Sequence, residues 1–389
     1  PNGFENGFVP QGKALEAQRN AARKKMLEVA SASWGYNFAD NTLIVGTSGR
    51  YEYRNKGIDV YLESLKQLAT SNLDRDVLAI VAVPAGINGV REDLVKHLAD
   101  SNNAIDPSQK RYLTHRLEAE AWDQVSQSIE GSILSTNASR VKVLFVPTYL
   151  NGNDGLFNIS YYEMLAGFDL TVFASYYEPW GYTPLESVAY GVPTVTTTLA
   201  GFGMWVAKLA NHEAVDIIRR DDYNEREVVF HITEVIKRYL AMDAAALAKS
   251  REAAIEVSNT ALWSKLFNEY KQAYEEAMDN SVARTNRVLI DGGSRGEQIN
   301  FVRQQLTSNR PSWHRLMVEK GIPARLKPLE ELSRNLWWCW TAAARDLFES
   351  IDETLWVKVD RNPIALLDKL STARCEELSK DTEFLKRMD

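Results

Sequence analysis

Two glutamates, Glu178 and Glu186, lie eight positions apart on either side of a turn rich in proline, glycine and aromatic residues. The turn follows an apolar run at 170–174 that is typical of a buried parallel strand, and it precedes a helix that Gly191 and Pro193 end. Open α/β sheets bind their ligands at the carboxyl ends of strands. The pattern therefore predicts a binding or catalytic site at this turn.

The second glutamate has two interpretations. Thr183 is a good N-cap, Pro184 suits the first helical position, and Glu186 would complete a capping box with Thr183. In that case the Glu186 carboxylate only satisfies backbone N–H groups. The alternative is a carboxylate that accepts hydrogen bonds from sugar hydroxyls, and the local sequence leaves both interpretations open.

An anion site is predicted at the start of the same helix, where free N–H groups and the helix dipole favour negative charge. Arg50 and Lys56 lie on a loop after another predicted strand and could reach the same place. An arginine fork and a lysine point charge together would hold a diphosphate without a divalent metal. The alternative is that both cations are solvated loop residues. The backbone that enters the helix belongs to Gly181, Tyr182 and Thr183.

Glu178 has no cation beside it in the sequence. It is therefore either a surface charge or a carboxylate that stabilises a positive centre as it develops. The aromatic residues of the turn are either part of the core or stacking faces in a sugar or base pocket. They are Tyr176, Tyr177, Trp180 and Tyr182.

The composition is that of an ordinary globular chain. Of the 389 residues, 45% are hydrophobic and 25% are charged, and the length allows two domains or one large and one small domain. The net charge of −7 argues against a nucleic-acid-binding surface. No apolar run approaches the roughly 18 residues of a membrane span, and no signal peptide is recognisable.

The two cysteines, Cys339 and Cys375, are too few for a disulfide framework, which fits a reducing cytoplasm. The five histidines are scattered without the spacing of metal ligands, so no metal site is predicted. The chain begins at Pro1 without a methionine, and we expect it to be part of a longer polypeptide.

The elements that must position these residues alternate between strand and helix, which predicts a Rossmann-like, doubly wound parallel sheet of the α/β class. Strands are predicted at 42–46, 77–83, 141–147, 170–174, 194–198 and 214–219. Helices are predicted at 13–30, 58–69, 160–167, 184–190, 225–239, 244–258 and 262–279.

Three further segments complete the predicted organisation. Residues 91–131 form an insertion in the first domain (1–280) that is rich in charge and predicted to be mostly helical. The insertion is either a solvated helical hairpin or a surface through which the chain forms a homo-oligomer. Residues 281–322 have the texture of a linker, and 323–389 are predicted to be a small all-helical region.

The first domain resembles the C-terminal domain of the glycogen synthases of fungi and animals, which are retaining glycosyltransferases with two Rossmann-like domains (the GT-B fold). The resemblance covers residues 1–280 and runs through 48–57 (SGRYEYRNKG), 175–186 (SYYEPWGYTPLE) and 196–203 (TTTLAGFG). Two glutamates eight positions apart are common to many retaining glycosyltransferases. The string YYEPWGYTP is much more specific.

The resemblance implies transfer of glucose from UDP-glucose to the 4-hydroxyl at the non-reducing end of an α-1,4-glucan, with retention and without a metal or other cofactor. It implies that Glu178 lies beside the transferred glucose as the carboxylate tied to catalysis, and that Arg50 and Lys56 bind the diphosphate. Tyr161 would stack on the uracil, and Glu186 would bind the ribose hydroxyls. The turn would contribute Trp180, Gly181, Tyr182 and Thr183 to the sugar and phosphates.

The tail resembles the helical region that opens bacterial α-glucan phosphorylases. The match lies in 325–340 (RLKPLEELSRNLWWCW), 352–356 (DETLW) and the pair at 362–363 (NP). The resemblance implies a bacterial fusion of glycogen synthase and glucan phosphorylase. It implies no pyridoxal phosphate in this chain, because the phosphorylase catalytic domain lies outside it.

Two alternative functions remain open at this stage. One is a related transferase that uses ADP-glucose or another sugar nucleotide. The other is a non-catalytic glucan-binding or scaffold module, which the tryptophan-rich tail suggests. The first domain of the synthase family is also missing from the chain, so we expect the chain alone to be inactive.

Overall fold

The computed structural model describes residues 2–290, with side chains described as far as residue 277. Residues 1–269 form one compact unit, and a second unit begins at Tyr270, inside the long helix Trp263–Ile290. The predicted domain end at 280 falls within this helix. Most of the predicted linker (281–322) and all of the helical region 323–389, with Cys339 and Cys375, lie outside the described residues.

The fold is built on a parallel sheet of six strands, as predicted. Two further strands form a separate pair. In chain order the strands are β1 Leu43–Ser48, β2 Val77–Ala82, β3 Ile87–Val90, β4 His115–Leu117, β5 Val141–Phe145, β6 Leu170–Val172, β7 Thr194–Thr197 and β8 Val215–Ile218. Of these, β3 and β4 are the separate pair. The sheet order is β5-β2-β1-β6-β7-β8, and every neighbouring pair in it is parallel. Every residue of β1, β2 and β5 is buried, so helices must cover both faces.

Helices cover both faces of the sheet. They are α1 Lys13–Trp34, α2 Ile58–Ala69, α3 Glu92–Ala99, α4 Gln124–Ile129, α5 Tyr161–Ala166, α6 Tyr182–Ala189, α7 Gly201–Val206, α8 Glu225–Leu240, α9 Ala244–Thr260 and α10 Trp263–Ile290. The apolar face of α2 is buried and packs with α8. Residues of α1 and α5 belong to a second apolar cluster. Full burial of one large apolar side chain contributes about 1.5–3 kcal/mol.

The prediction of a mostly helical insertion is wrong. Helices α3 and α4, of eight and six residues, lie at its two ends, and β4 between them pairs antiparallel with β3. The Asp100 carboxylate accepts a hydrogen bond from the Asn102 N–H at 3.1 Å, and the Asp106 carboxylate accepts one from the Ser108 N–H at 2.9 Å. Such turns compete with helix formation, which the charge pattern did not reveal.

A buried arginine ties this insertion to the rest of the unit. Arg91 forms an ion pair with Asp93 at 2.6 Å and donates to the carbonyl oxygens of Lys110 and Leu113 at 2.9 and 3.0 Å. It also donates to the Ser33 hydroxyl, on α1, at 3.2 Å. A buried charge is tolerated because hydrogen bonds surround it.

His115 gives the unit a pH-dependent contribution to its stability. Its Nε2 donates to the carbonyl oxygen of Asp154 at 3.0 Å, and burial lowers its pKa below the ordinary value of 6.5. The unfolded chain therefore binds the proton at a higher pH than the folded chain does. The resulting stability is complete above the unfolded pKa and is lost as the pH falls from there toward the folded pKa.

We expect the free energy of unfolding to fall as the pH drops below about 6.5, by at most ~1.4 kcal/mol per pH unit from His115. His115→Gln should remove that part of the slope in urea titrations across this range. The matched control is His231→Gln, at an exposed position on α8, which should leave the slope unchanged. Equal slopes in the wild type and His115→Gln would contradict the assignment.

Candidate active site

The site lies where the direction of the chain through the sheet reverses. Strands β1 and β6 are neighbours, with β2 and β5 beyond β1 and β7 and β8 beyond β6. Asp169 joins the two strands near their amino ends, because its carboxylate accepts hydrogen bonds from the Ile44 N–H and from Arg23 and Arg251 at 2.6–2.9 Å. At such a switch point the loops that leave the carboxyl ends of the two strands diverge, and the crevice between them is the usual ligand position.

The structure brings Lys56 and Glu178 together in this crevice. The Lys56 ammonium, on the loop after β1, forms an ion pair with Glu178 Oε2, on the turn after β6. Their side chains are only 16% and 21% exposed. Glu178 therefore has the cation that its sequence neighbours do not supply, and the interpretation as a free surface charge is excluded. A phosphate can bind at this position, because it can compete with Glu178 for the Lys56 ammonium.

Gly57 allows the loop to approach the turn this closely. It adopts a left-handed conformation with φ +70°, and a Cβ at this position would lie 2.0 Å from the carbonyl oxygen of Ala174. Beside it, the Tyr176 N–H donates to the carbonyl oxygen of Asn55 at 2.8 Å. Only glycine fits here without moving one backbone relative to the other.

Arg50, the second predicted phosphate ligand, lies on the same loop but faces solvent. Its side chain is 78% exposed and pairs with Glu52 at 3.0 Å. Glu52 also accepts a hydrogen bond from the Asn55 amide at 2.6 Å. An exposed pair of this kind contributes little to stability, so Arg50 can exchange Glu52 for another anion at small cost.

The other side of the turn is held by the segment that leads into α7. The Glu178 N–H donates to the carbonyl oxygen of Leu199 at 3.3 Å, and the Gly201 N–H donates to that of Glu178 at 3.0 Å. A Cβ on Gly201 would lie 2.2 Å from the carbonyl oxygen of Pro179. Glu178 is therefore fixed through its backbone as well as through Lys56.

Arg220 is a further support of the turn, from the interior of the protein. It is buried, it donates a hydrogen bond to the Ala174 carbonyl oxygen, and its guanidinium lies 5.3 Å from the centre of the Tyr176 ring. Burial lowers its pKa, and the nearby carboxylate of Asp59 acts in the opposite direction. The residue lies just past the carboxyl end of β8, so segments that follow four strands, β1, β6, β7 and β8, meet at the turn.

The start of α6 provides the predicted anion-binding N–H groups. Gly181 is the N-cap, with φ +108°, and Tyr182 and Thr183 are the first two helical residues. Their N–H groups belong to the first turn, where no carbonyl of the helix can accept them, and Pro184 has no N–H. The Tyr182 side chain is 53% exposed.

The predicted capping box at Thr183 is wrong. The helix begins two residues earlier than predicted, at Tyr182, and no side chain caps it. Gly181 can adopt the backbone angles that open the helix, so the hydroxyl of Thr183 is not needed for this purpose. A capping box is present instead on α5, between Ser160 and Glu163.

Glu186 is therefore free of the helix-capping role. Its Oε1 accepts a hydrogen bond from the Tyr162 hydroxyl at 3.0 Å. Burial raises the pKa of Glu186, and the Tyr162 hydroxyl opposes that rise. The carboxylate thus does not cap the start of its own helix and instead accepts a hydrogen bond from a residue of α5.

Trp180 is placed in the core rather than in an open pocket. Its ring centre lies 6.0 Å from that of Phe202 and 5.8 Å from that of Trp205. The indole Nε1 is buried and has no hydrogen-bond partner within the described residues. Tyr176 and Tyr177 are exposed on the turn, so they present aromatic faces to solvent.

Tyr161 is the first residue of α5, and its hydroxyl lies 2.8 Å from the Ser48 hydroxyl at the end of β1. Burial raises its pKa well above the ordinary value. The ring therefore stays neutral and borders the carboxyl edge of the sheet, on the same helix turn as Tyr162. The side chain is partly buried, which leaves part of the ring open.

The described residues lack two features, a cluster of metal ligands and a membrane-spanning helix. Among residues 2–277, no three His, Cys, Asp or Glu side chains are grouped as ligands for a metal ion. Within the described helices, none is long and apolar enough to cross a membrane.

Comparison with known proteins places the chain in a family. The family model of glycogen synthase matches residues 98–327, which is more than half of the chain. The chain belongs to the glycogen synthase family. A second model, described as a protein of unknown function (DUF3417), matches residues 322–389. The resemblance of the tail to phosphorylases therefore stays a prediction, on residues outside those described.

Curated glycogen synthases are similar at modest identity. The glycogen [starch] synthase of Neurospora crassa is 28% identical over an alignment of 302 positions that covers 62% of this chain and 43% of that protein. Isoform 1 of Saccharomyces cerevisiae is 27% identical over 334 residues, covering 66% and 47% respectively. The chain thus spans about half the length of these relatives. A sucrose-phosphate synthase structure from Thermosynechococcus elongatus aligns with a TM-score of 0.40 at 19% identity, covering 72% of this chain and 52% of that one.

The sequence analysis missed three residues that shape the site in this member of the glycogen synthase family. Gly57 lies inside the segment that carries the resemblance, but its role depends on a contact with Ala174 that the sequence does not show. Arg220 follows a predicted strand, and the rule that strand ends meet could have identified it. Tyr162 gave no local signal, because its partner Glu186 lies on another helix.

Proposed function

We propose that this chain is the donor-binding part of a glycogen synthase that transfers glucose from UDP-glucose to the non-reducing end of an α-1,4-glucan. The observation that carries the proposal is the Lys56–Glu178 pair at the strand junction, beside the open start of α6. It joins a phosphate-binding cation, a fixed carboxylate and free N–H groups in one crevice. Family membership supplies the reaction class.

The roles follow from charge and position. Lys56 and the N–H groups of Tyr182 and Thr183 would bind the diphosphate, and Arg50 would leave Glu52 to join them. These groups stabilise the charge that develops on the departing diphosphate, a contribution that does not depend on proton transfer. Glu178, released from part of its interaction with Lys56, would face the glucose, where positive charge develops. Glu186 would accept the ribose hydroxyls.

We expect the 389-residue chain to bind UDP in isothermal titration calorimetry, and Arg50→Ala to weaken that binding about 5- to 50-fold because one charged phosphate contact is lost. Arg54→Ala is the matched control, since Arg54 is exposed on the same loop and is not assigned to the phosphates. Titrations with ADP and with a maltooligosaccharide complete the set.

The outcomes separate the candidate functions. Tight binding of ADP with weak binding of UDP would move the assignment to a transferase with a different donor. Binding of the maltooligosaccharide without either nucleotide would favour a glucan-binding module. Equal loss of affinity in Arg50→Ala and Arg54→Ala would show that only the overall loop charge matters.

A further inference from the structure

The carboxylate of Glu186 depends on one side chain from another helix. Within the described residues, the side chain that donates a hydrogen bond to this carboxylate is that of Tyr162, whose hydroxyl lies 3.0 Å from Oε1. The helix that carries Glu186 does not use the carboxylate as a cap. A glutamate has three rotatable side-chain bonds, so without this contact it would sample several rotamers.

Tyr162 is itself held rigidly. Its ring stacks on that of Tyr190, with centres 5.9 Å apart and planes 11° apart, and meets the edge of the Phe8 ring at 4.7 Å. Its backbone carbonyl oxygen accepts a hydrogen bond from the Gln18 amide at 3.1 Å. Aromatic rings packed in this way have few accessible rotamers, so the hydroxyl is a fixed donor.

The contact also leaves the carboxylate free to bind a diol. Tyr162 donates to Oε1, so Oε2 and the second lone pair of Oε1 remain as acceptors. Two neighbouring hydroxyls of a ribose need two acceptors held in one plane. A carboxylate whose plane is fixed by one hydrogen bond supplies them without a further loss of rotamer entropy on binding.

We propose that Tyr162 is a positioning residue of the donor site, holding the Glu186 carboxylate in the orientation that receives the ribose hydroxyls of the sugar nucleotide. This inference rests on the proposed function for the identity of the ligand. The hydrogen bond between Tyr162 and Glu186 does not depend on that proposal. Tyr162 need not touch the nucleotide, since it acts through Glu186.

The ionisable side chains that act on Glu186 or respond to it are Tyr161 and Tyr162 on α5 and Tyr190 after α6. All three are neutral near pH 7, because the ordinary pKa of a tyrosine is about 10 and burial raises each of these further. The hydroxyl of Tyr162 stabilises the charged form of Glu186, whereas burial destabilises it. Loss of that hydroxyl should therefore raise the pKa of Glu186.

The test compares Tyr162→Phe with Tyr190→Phe, which removes a hydroxyl from the same aromatic cluster without touching Glu186. We expect Tyr162→Phe to weaken UDP binding about 3- to 10-fold in calorimetry and to leave the affinity for 2′,3′-dideoxy-UDP unchanged. Tyr190→Phe should alter neither affinity. As the pH falls, UDP binding by Tyr162→Phe should also be lost at a higher pH than in the wild type.

Equal loss of affinity for both nucleotides, or no loss for either, would overturn the positioning role. A titration of the Glu186 carboxyl by carbon-detected NMR, without any ligand, tests the contact independently. We expect a higher pKa in Tyr162→Phe than in the wild type and in Tyr190→Phe, and an unchanged pKa would overturn the proposal. Failure of the wild-type chain to bind UDP would instead refute the proposed function. The ligand-free titration would still show whether the Tyr162 hydroxyl acts on Glu186.

Discussion

Lys56→Met is expected to reduce the affinity for UDP about 10- to 150-fold, equivalent to ~1.5–3 kcal/mol for one contact with a charged group. The substitution keeps most of the side-chain volume and removes the only cation paired with Glu178 in the described structure. Two effects add in the same direction. The phosphates lose a positive partner, and the half-buried Glu178 keeps its negative charge without compensation, which repels the diphosphate.

The matched control is Lys66→Met on α2. Lys66 also pairs with a glutamate, Glu63, at 3.2 Å, but this is a pair between neighbours on one helix face. Such pairs contribute a few tenths of a kcal/mol, so neither stability nor UDP affinity should change measurably. Calorimetric affinities within threefold of each other for the two variants would remove Lys56 from the phosphate site.

Gly57→Ala is expected to lower the free energy of unfolding of the first unit by about 2–5 kcal/mol. The left-handed conformation costs an alanine ~1–2 kcal/mol, and the added Cβ would lie 2.0 Å from the Ala174 carbonyl oxygen. Relief of that overlap requires the loop and the turn to separate, with a further ~1–3 kcal/mol of overpacking. Hydrogen exchange of peptides from β1 and α2 in a urea series would report the loss.

Gly131→Ala separates the two causes. Gly131 has the same φ of +70°, but a Cβ there would have nothing within 4 Å. It should therefore cost only the ~1–2 kcal/mol of the backbone conformation. If both alanine variants lost the same stability, the close approach of the two backbones at Gly57 would carry no energetic weight.

The sheet was predictable because its strands are short runs of apolar, mostly β-branched residues that are buried on both faces. All six parallel strands lie where the apolar runs predicted them, with ends shifted by a few residues. The insertion was not predictable in the same way. Its charge pattern suits a helix, but the turns at Asp100 and Asp106 and the pairing of β3 with β4 compete successfully with that propensity.

The candidate site was predictable only at the level of topology. The rule that parallel strands end at one edge correctly brings Lys56 beside Glu178, although the sequence places no cation near that glutamate. The rule does not specify side-chain partners. The pairing of Arg50 with Glu52 and that of Tyr162 with Glu186 depend on rotamers set by packing, and Glu186 showed a helix-start pattern that Gly181 made unnecessary.

The support that Arg220 gives to the turn has a consequence for how the molecule is made. Lys56 and Glu178 are separated by 122 positions, and Arg220 follows Ala174, the residue that it holds, by 46 positions. Contacts between such distant segments form slowly, because the loop between them must close first. During synthesis β1 and β6 can pair before β8 is made, but the turn lacks its contact with Arg220 until that residue has left the ribosome. We therefore expect the site to reach its final rigidity only after β8 has joined the sheet.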